Sequence, residues 1–504
     1  MQRAEALNRL AQFPRHDPAA AWSAGIALLK GDHPELLLPE ARKLAESNPG
    51  HAQAQQLLGL TARACGDSAL ALSAFKTAAR LAPIDPLIAH SHARVALEAG
   101  MSSSELFAAA ARLAPHDGSV LLGQAAALLH ECRPAESIVL LERALATNPL
   151  WLDGHRSLAA LRKQLGQDPS ASLARALAKN PGSPDLHHLA ISLSLQSRDL
   201  DRASMALAAA STALGKPRWL RLLAGHVASE QGALTEADEH FAAGGAPQMV
   251  SEAWPLARHL LRSRQPERAA TLLEEWLGKG ADQEIWPYLS LAWRLIGDRR
   301  AEWFEGDARL VGAYDIGLTP EELALLADHL RGLHFATSAP LDQSVRGGTQ
   351  TDGNLLLRIE TPIRNLRQRL LAIVERHIAQ LPPFEEGHPT LPVNRAPVRV
   401  AGSWSVRLDG AGFHTDHVHP RGWLSSALYI ALPPTLGRGH ADHAGWLSLG
   451  EARDIVPDLA PLQLIEPKPG RLVLFPSTMW HGTRPFAAGE RLTIAFDIAR
   501  PRQD

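Results

Sequence analysis

The chain has 504 residues, 45% of them hydrophobic and 21% charged, with a formal net charge of −2. That length exceeds one hydrophobic core, so two or three domains are expected. The near-neutral charge excludes a general basic field for nucleic acid or an anionic membrane. Cys65 and Cys132 are far apart, lack metal-ligand spacing and read as reduced core thiols of a cytoplasmic protein. The start, "MQRAEALNRLAQFPRHDPAAAW", has no apolar core of signal-peptide type, and no apolar run reaches membrane-spanning length, so export and membrane insertion are disfavoured.

Residues 1–305 are rich in Ala and Leu and carry helical periodicity, as in "LLGLTARACGDSALALSAFKTAARLAPIDP", where "GDS" breaks the helix and "APIDP" ends the next. Pro49, Pro83, Pro115, Pro149 and Pro181 are spaced by 34, 32, 34 and 32 residues, with weaker echoes at Pro217 and Pro247. A period near 34 with proline closing the second helix resembles the tetratricopeptide repeat (TPR), over roughly residues 20 to 300. The resemblance implies stacked helix pairs with a concave surface, a groove for a peptide or partner protein. A spacer or dimerisation arm is the alternative, and oligomeric state stays open. His51, His187, His188 and His226 read as ordinary surface or inter-helix residues.

Residues 306–397 form a linker and supporting helices. Thr319-Pro320-Glu321-Glu322 marks a helix start with a capping box, Ser338 to Leu356 reads as a Gly-rich loop, and "TPIRNLRQRLLAIVERHIAQL" is helical. From 398 to 504 the period switches to strands: "VRVAGSWSVRL", "GWLSSALYIALP", "GWLSLGE", "GRLVLFP" and "RLTIAFDIA". The whole is α+β and multidomain: an all-α repeat superhelix, then an antiparallel β-sandwich or jelly roll supported by helices.

Chemistry concentrates in "GFHTDHVHPRGWLSSALYIALP" and in "GRLVLFPSTMWHGTRPFAAGERLTIAFDIA". The first holds His414, Asp416, His417 and His419. The second holds His481 and, ten residues later across a hairpin, Arg491, which shares a strand face with Thr493. Two histidines and usually a carboxylate on one side of a metal suit a non-haem iron site. An arginine suits a carboxylate-bearing co-substrate. With "PLDQSVRGGTQT", these segments resemble the iron(II)/2-oxoglutarate-dependent (2OG-Fe(II)) oxygenases on a double-stranded β-helix, and more closely the bacterial members fused to TPR repeats. The resemblance implies His481 as distal iron ligand and Arg491, with Thr493 helping, as anchor of the 2-oxoglutarate C5 carboxylate. It implies Fe(II), 2-oxoglutarate and O2 as cofactor and co-substrates, and a hydroxylase acting on a protein or peptide side chain presented by the repeats. A small-molecule oxygenase and a non-catalytic scaffold are the alternatives.

Two registers compete for the proximal ligands. Strand alternation puts His414 and Asp416 on one face and His417 and His419 on the other. Members of this superfamily place the proximal histidine just before a turn into the next long strand, which favours His417, whereas His414 directly follows the turn "DGAG". His419 then stands where a carboxylate is usual, so the site is either three histidines or two completed by water. Asp416 is a candidate acceptor for a ligand imidazole. His440-Ala-Asp442-His443 reads as a loop over the site, Trp423 and Tyr429 as core or pocket-edge aromatics, and Arg407 as a candidate substrate or co-substrate contact.

Overall fold

The computed structural model describes residues 1–338, 341, 344–434, 436, 443–487 and 489–503. From Arg3 to Glu305 the chain forms nineteen α-helices that pack as successive pairs. Second helices end at Ser47, Leu81, Leu113, Thr147 and Lys179, so each spaced proline follows its helix by two residues. The residue between them leaves the helical region in the same way each time, with ψ of 60, 71, 68, 82 and 62°. Proline imposes this, because its ring crowds an α-helical predecessor and it has no N–H to continue the ladder. The repeat array is thus TPR-like, as its spacing predicts.

Among the described residues nine strands follow: β1 (Gly312–Asp315), β2 (Val345–Gln350), β3 (Val400–His417), β4 (Gly422–Ala431), β5 (Leu447–Leu449), β6 (Gln463–Ile465), β7 (Arg471–Pro476), β8 (His481–Thr483) and β9 (Arg491–Ala499). They form one curled antiparallel sheet of order β1-β7-β4-β9-β3-β8-β5-β6, with β2 also paired to β3, as in a jelly roll. Helices Pro320–Arg331 and Thr361–Gln380 support it. The first starts with the expected Thr319–Glu322 capping box. The second buries Ile363, Leu366, Leu370, Ile373, Val374, His377 and Ile378, a three-to-four-residue stripe laid over Leu424, Leu428, Leu472, Leu492 and Ile494.

Three expectations need correction. The Ser338–Leu356 segment is not all loop, because β2 lies in it. Gly347, at φ +67°, makes the bulge, and a side chain there would press on the Gly412 backbone. "DGAG" is not a turn between strands; it is an excursion of β3 between Leu408, paired with Gly348, and Phe413, paired with Arg346. Cys132 is exposed rather than a core thiol; Cys65 is half-buried, with burial pushing its thiol up to about 12.

The sheet domain is held along one edge of the array by the turns inside successive helix pairs. Arg399 pairs with Asp32 and Glu35, the Ile359 N–H donates to the Ala99 carbonyl, and the Thr337 N–H donates to the Gln164 carbonyl. Arg198 reaches Asp454, Arg264 reaches Asp458, and Arg294 donates to the Gly450 carbonyl. Helices of the array also share a core with the sheet domain: Leu260, Leu289 and Trp293 cluster with Ala452, Ile455, Val456 and Trp480.

Glu305 lies beside that core, 7% exposed, accepting from Ser290 Oγ at 2.5 Å, and burial pushes its carboxyl up to about 7. The folded state therefore keeps a proton that an unfolded carboxyl of ordinary pKa 4.5 releases. Stability should fall as pH rises from about 4.5 through about 7. Glu305→Gln is expected to be near neutral at pH ~5 and to stabilise by about 2–3 kcal/mol at pH ~8, read from urea melts. Equal effects at both pH values would rule this out.

Candidate metal and co-substrate site

His417, the last residue of β3, is paired directly with His481, the first of β8. The chain then turns at His419, whose N–H donates to the Ser477 carbonyl at 2.9 Å. The His417 and His481 rings lie 4.2 Å apart by centroid, His417 and His419 5.0 Å, and His419 and His481 5.1 Å. One ring nitrogen from each of these three lies within 4.8 Å of the others.

The hydrogen bonds at the far side of each ring fix the tautomer. His417 Nδ1 donates to the Thr415 carbonyl at 2.8 Å, and His481 Nδ1 to the Met479 carbonyl at 3.0 Å. His419 Nδ1 donates to the Asp497 carboxylate at 2.8 Å. A carbonyl can only accept, so those Nδ1 atoms carry the proton and leave Nε2 with its lone pair. Burial, helped by the neighbouring imidazoles, pushes His417 down to about 3 and holds His481 well below the ordinary histidine value. Both rings are neutral and able to act as ligands at physiological pH.

Strand alternation does not separate His414 from His417. From His414 to His417 β3 advances three residues while its partner β8 advances two, from Thr483 to His481. That bulge turns both histidines to one cavity, which Arg491 and Thr493 also line. His414 Nδ1 nevertheless meets Ser344 Oγ at 2.9 Å, and His414 is not part of the three-histidine cluster. Asp416 does not accept from an imidazole. Its carboxylate takes the Arg453 N–H at 2.8 Å and the Arg453 guanidinium at 2.7 and 2.5 Å. The carboxylate that accepts from one of the three clustered imidazoles, His419, is Asp497, also held by Ser425 Oγ at 2.6 Å. Its sequence signal was a lone carboxylate in the apolar run "RLTIAFDIA".

Arg491 is 2% exposed, its guanidinium carbon 5.1 Å from the Tyr429 ring centroid. Among the described residues neither Arg491 Nε nor the Tyr429 hydroxyl has a hydrogen-bond partner. Burial lowers Arg491 below its ordinary value and raises Tyr429 above its own. A buried guanidinium without a carboxylate is costly, and Arg491, which lines the cavity, suits an incoming anion. Thr493, two residues along β9, lines the same cavity and donates from Oγ1 to the Val406 carbonyl at 3.4 Å. Tyr429 is core, packed with Leu447, Leu449, Val473 and Phe475, and so is Trp423, whose indole donates to the Thr390 carbonyl at 3.0 Å. Arg407 is taken up by Glu490 at 2.8 Å, together with Arg331, so it is a structural ion pair and not a free contact. His440 and Asp442 lie outside the described residues; His443 packs on Trp446 at 4.6 Å.

A cleft of about 1150 Å³ opens over His417 and His419. Trp404, Arg346 and Asp497 form its sheet side; His188, Trp219, His226 and Trp254 of the repeats form the other. His188 and His226 are therefore cleft residues, beyond what their positions in a helical repeat could disclose.

Residues 402–497 match the family described as "Putative 2OG-Fe(II) oxygenase". This part of the chain is a 2OG-Fe(II) oxygenase domain. It makes the chain a 2-oxoglutarate-dependent oxygenase, and the family implies Fe(II), 2-oxoglutarate and O2. No curated protein matches the chain. Among solved structures, a prolyl-4-hydroxylase of Pseudomonas putida matches with 17% identity, 39% of this chain, 95% of that one and a TM-score of 0.26. A TPR protein of Thermus thermophilus matches with 19% identity, 38% and 100% coverage and a TM-score of 0.26. HygX of Streptomyces hygroscopicus, solved with nickel and 2-oxoglutarate, matches with 12% identity, 40% and 85% coverage and a TM-score of 0.27. Among the described residues no helix is long and apolar enough to cross a membrane.

Proposed function

We propose that the oxygenase domain holds Fe(II) through Nε2 of His417, His419 and His481, and binds the distal carboxylate of 2-oxoglutarate with Arg491 and Thr493. We further propose that it hydroxylates a side chain of a protein or peptide lying in the cleft against the repeats. The observation that carries the metal reading is the shared pattern of Nδ1 bonds on three histidines whose candidate ligand atoms lie within 4.8 Å of one another. With bound 2-oxoglutarate and O2, Fe(II) supplies the oxidising chemistry. The chain's own residues fix the ligand tautomers, neutralise the co-substrate carboxylate and wall the cavity with Val406, Phe475 and Ile494, which keep water out.

The cleft supports a polypeptide substrate because repeat helices, not only the oxygenase domain, form its walls over His417 and His419. Contacts to the repeats can hold a chain while one side chain reaches the site, using remote binding to position the reacting group. The two free cysteines favour a reducing, cytoplasmic location.

Trp219 lines the cleft from the helix Arg218–Glu230. Trp219→Ala is expected to lower target hydroxylation at least tenfold while succinate formation without target stays within about twofold, since aromatic anchors dominate such interfaces. The measurement is mass spectrometry of the captured target, seeking a +16 Da mark, beside a succinate assay. Unchanged target hydroxylation would remove the cleft from substrate binding and favour a small-molecule substrate.

A further inference from the structure

We propose that the repeat array is a positioning element of the metal centre, acting through Asp416, Val418 and Trp480, the residues that alternate with the three histidines. The proposal rests on the metal reading above. In extended chain, successive side chains leave opposite faces. Where a histidine points into the cavity, its neighbour points out, and here outward means toward the repeats.

Trp480 precedes His481 and is 4% exposed. Its indole N–H donates to the Pro287 carbonyl of the repeat helix Asp282–Ile296 at 2.9 Å, and its ring meets Tyr288 edge-on at 5.5 Å. Val418, between His417 and His419, packs on the same shared core. Asp416, before His417, is locked to Arg453 by three hydrogen bonds. Arg453 in turn sits in a segment pinned to the array on both sides: Arg294 bonds the Gly450 carbonyl before it, and after it Arg198 and Arg262 bond Asp454 and Arg264 bonds Asp458. Gly482 completes the arrangement, since any side chain there would overlap the Asp416 carboxylate. Each histidine backbone is therefore clamped by a neighbour whose partners lie on the array or on the segment fixed to it. Three imidazoles serve one ion only if their backbones are held to within a fraction of an ångström, and such supporting contacts typically carry 10- to 100-fold in metal affinity.

The experiment is a Co(II) titration of the full chain, read by visible absorption, which reports both affinity and ligand geometry. Trp480→Phe keeps an aromatic ring in the shared core but removes the bond to Pro287 and part of the indole's volume. It is expected to weaken Co(II) binding on the order of tenfold and to shift the Co(II) bands. Arg453→Ala is expected to do the same, with Arg453→Lys restoring part. Arg399→Ala breaks a contact to the array far from the histidines, at Asp32 and Glu35, and is expected to leave affinity and spectrum unchanged. Parental affinity and spectrum in both Trp480→Phe and Arg453→Ala would overturn the proposal. So would an equal change in Arg399→Ala, which would indicate general loosening. If His481→Ala binds Co(II) as the parent does, the metal reading itself fails, and that result is separate from either of these.

Discussion

His481→Ala and His417→Ala are each expected to abolish stable Fe(II) or Co(II) binding, whereas His414→Ala keeps affinity within about threefold. The expectation follows from which rings converge. His417 and His481 are paired across β3 and β8 with centroids 4.2 Å apart, and each has its Nδ1 proton committed to a backbone carbonyl. Losing either removes one of the two histidines paired across the strands and leaves the remaining ligands to water, which strips the ion's hold. His414 shares the cavity but stands outside the cluster, and Ser344 Oγ lies near both rings, 2.9 Å from His414 Nδ1 and 3.2 Å from His417 Nε2. Metal titration of the three variants decides. Loss of the ion in His414→Ala with retention in His417→Ala would establish the other register.

Arg491→Ala is expected to weaken 2-oxoglutarate binding by about 2–4 kcal/mol, roughly 30- to 1000-fold, with metal affinity little changed. The guanidinium is buried over Tyr429 and its Nε lacks a partner among the described residues, so a carboxylate arriving there gains a charge-assisted bond in a dry cavity. Arg491→Lys should recover only part, because an ammonium cannot grip both carboxylate oxygens in a fork. Calorimetric titration of the metal-loaded protein with 2-oxoglutarate measures it. Unchanged affinity in the alanine variant would move the anchor elsewhere.

Much of this was written in local sequence. The prolines two residues beyond each second helix act through their own ring and missing N–H, so their spacing disclosed the repeat array without any tertiary knowledge. The Thr319–Glu322 capping box and the five apolar runs that became β3, β4, β5, β7 and β9 are equally local. The order of His417, His481 and Arg491 along those strands was sufficient for the resemblance that the match over residues 402–497 supports at the level of the domain.

What the sequence could not determine are matters of who faces whom. Alternation assumes an unbroken strand, and the bulge between His414 and His417 is a property of the β3–β8 pairing, which depends on two segments more than sixty residues apart. Asp416 looked like a partner for an imidazole because it lies beside one in sequence. Only the placement of Arg453 turns it outward and leaves that task to Asp497. The cleft residues His188, Trp219 and Trp254 belong to helices whose pattern records only that they pack. Their relation to the histidines exists because charged turns along the array grip the oxygenase domain at Asp32, Arg198 and Arg264. Periodicity and motif order are short-range and could be read directly; bulges, ion-pair choices and the docking of array on sheet are decided by contacts between distant segments, and only the tertiary structure holds them.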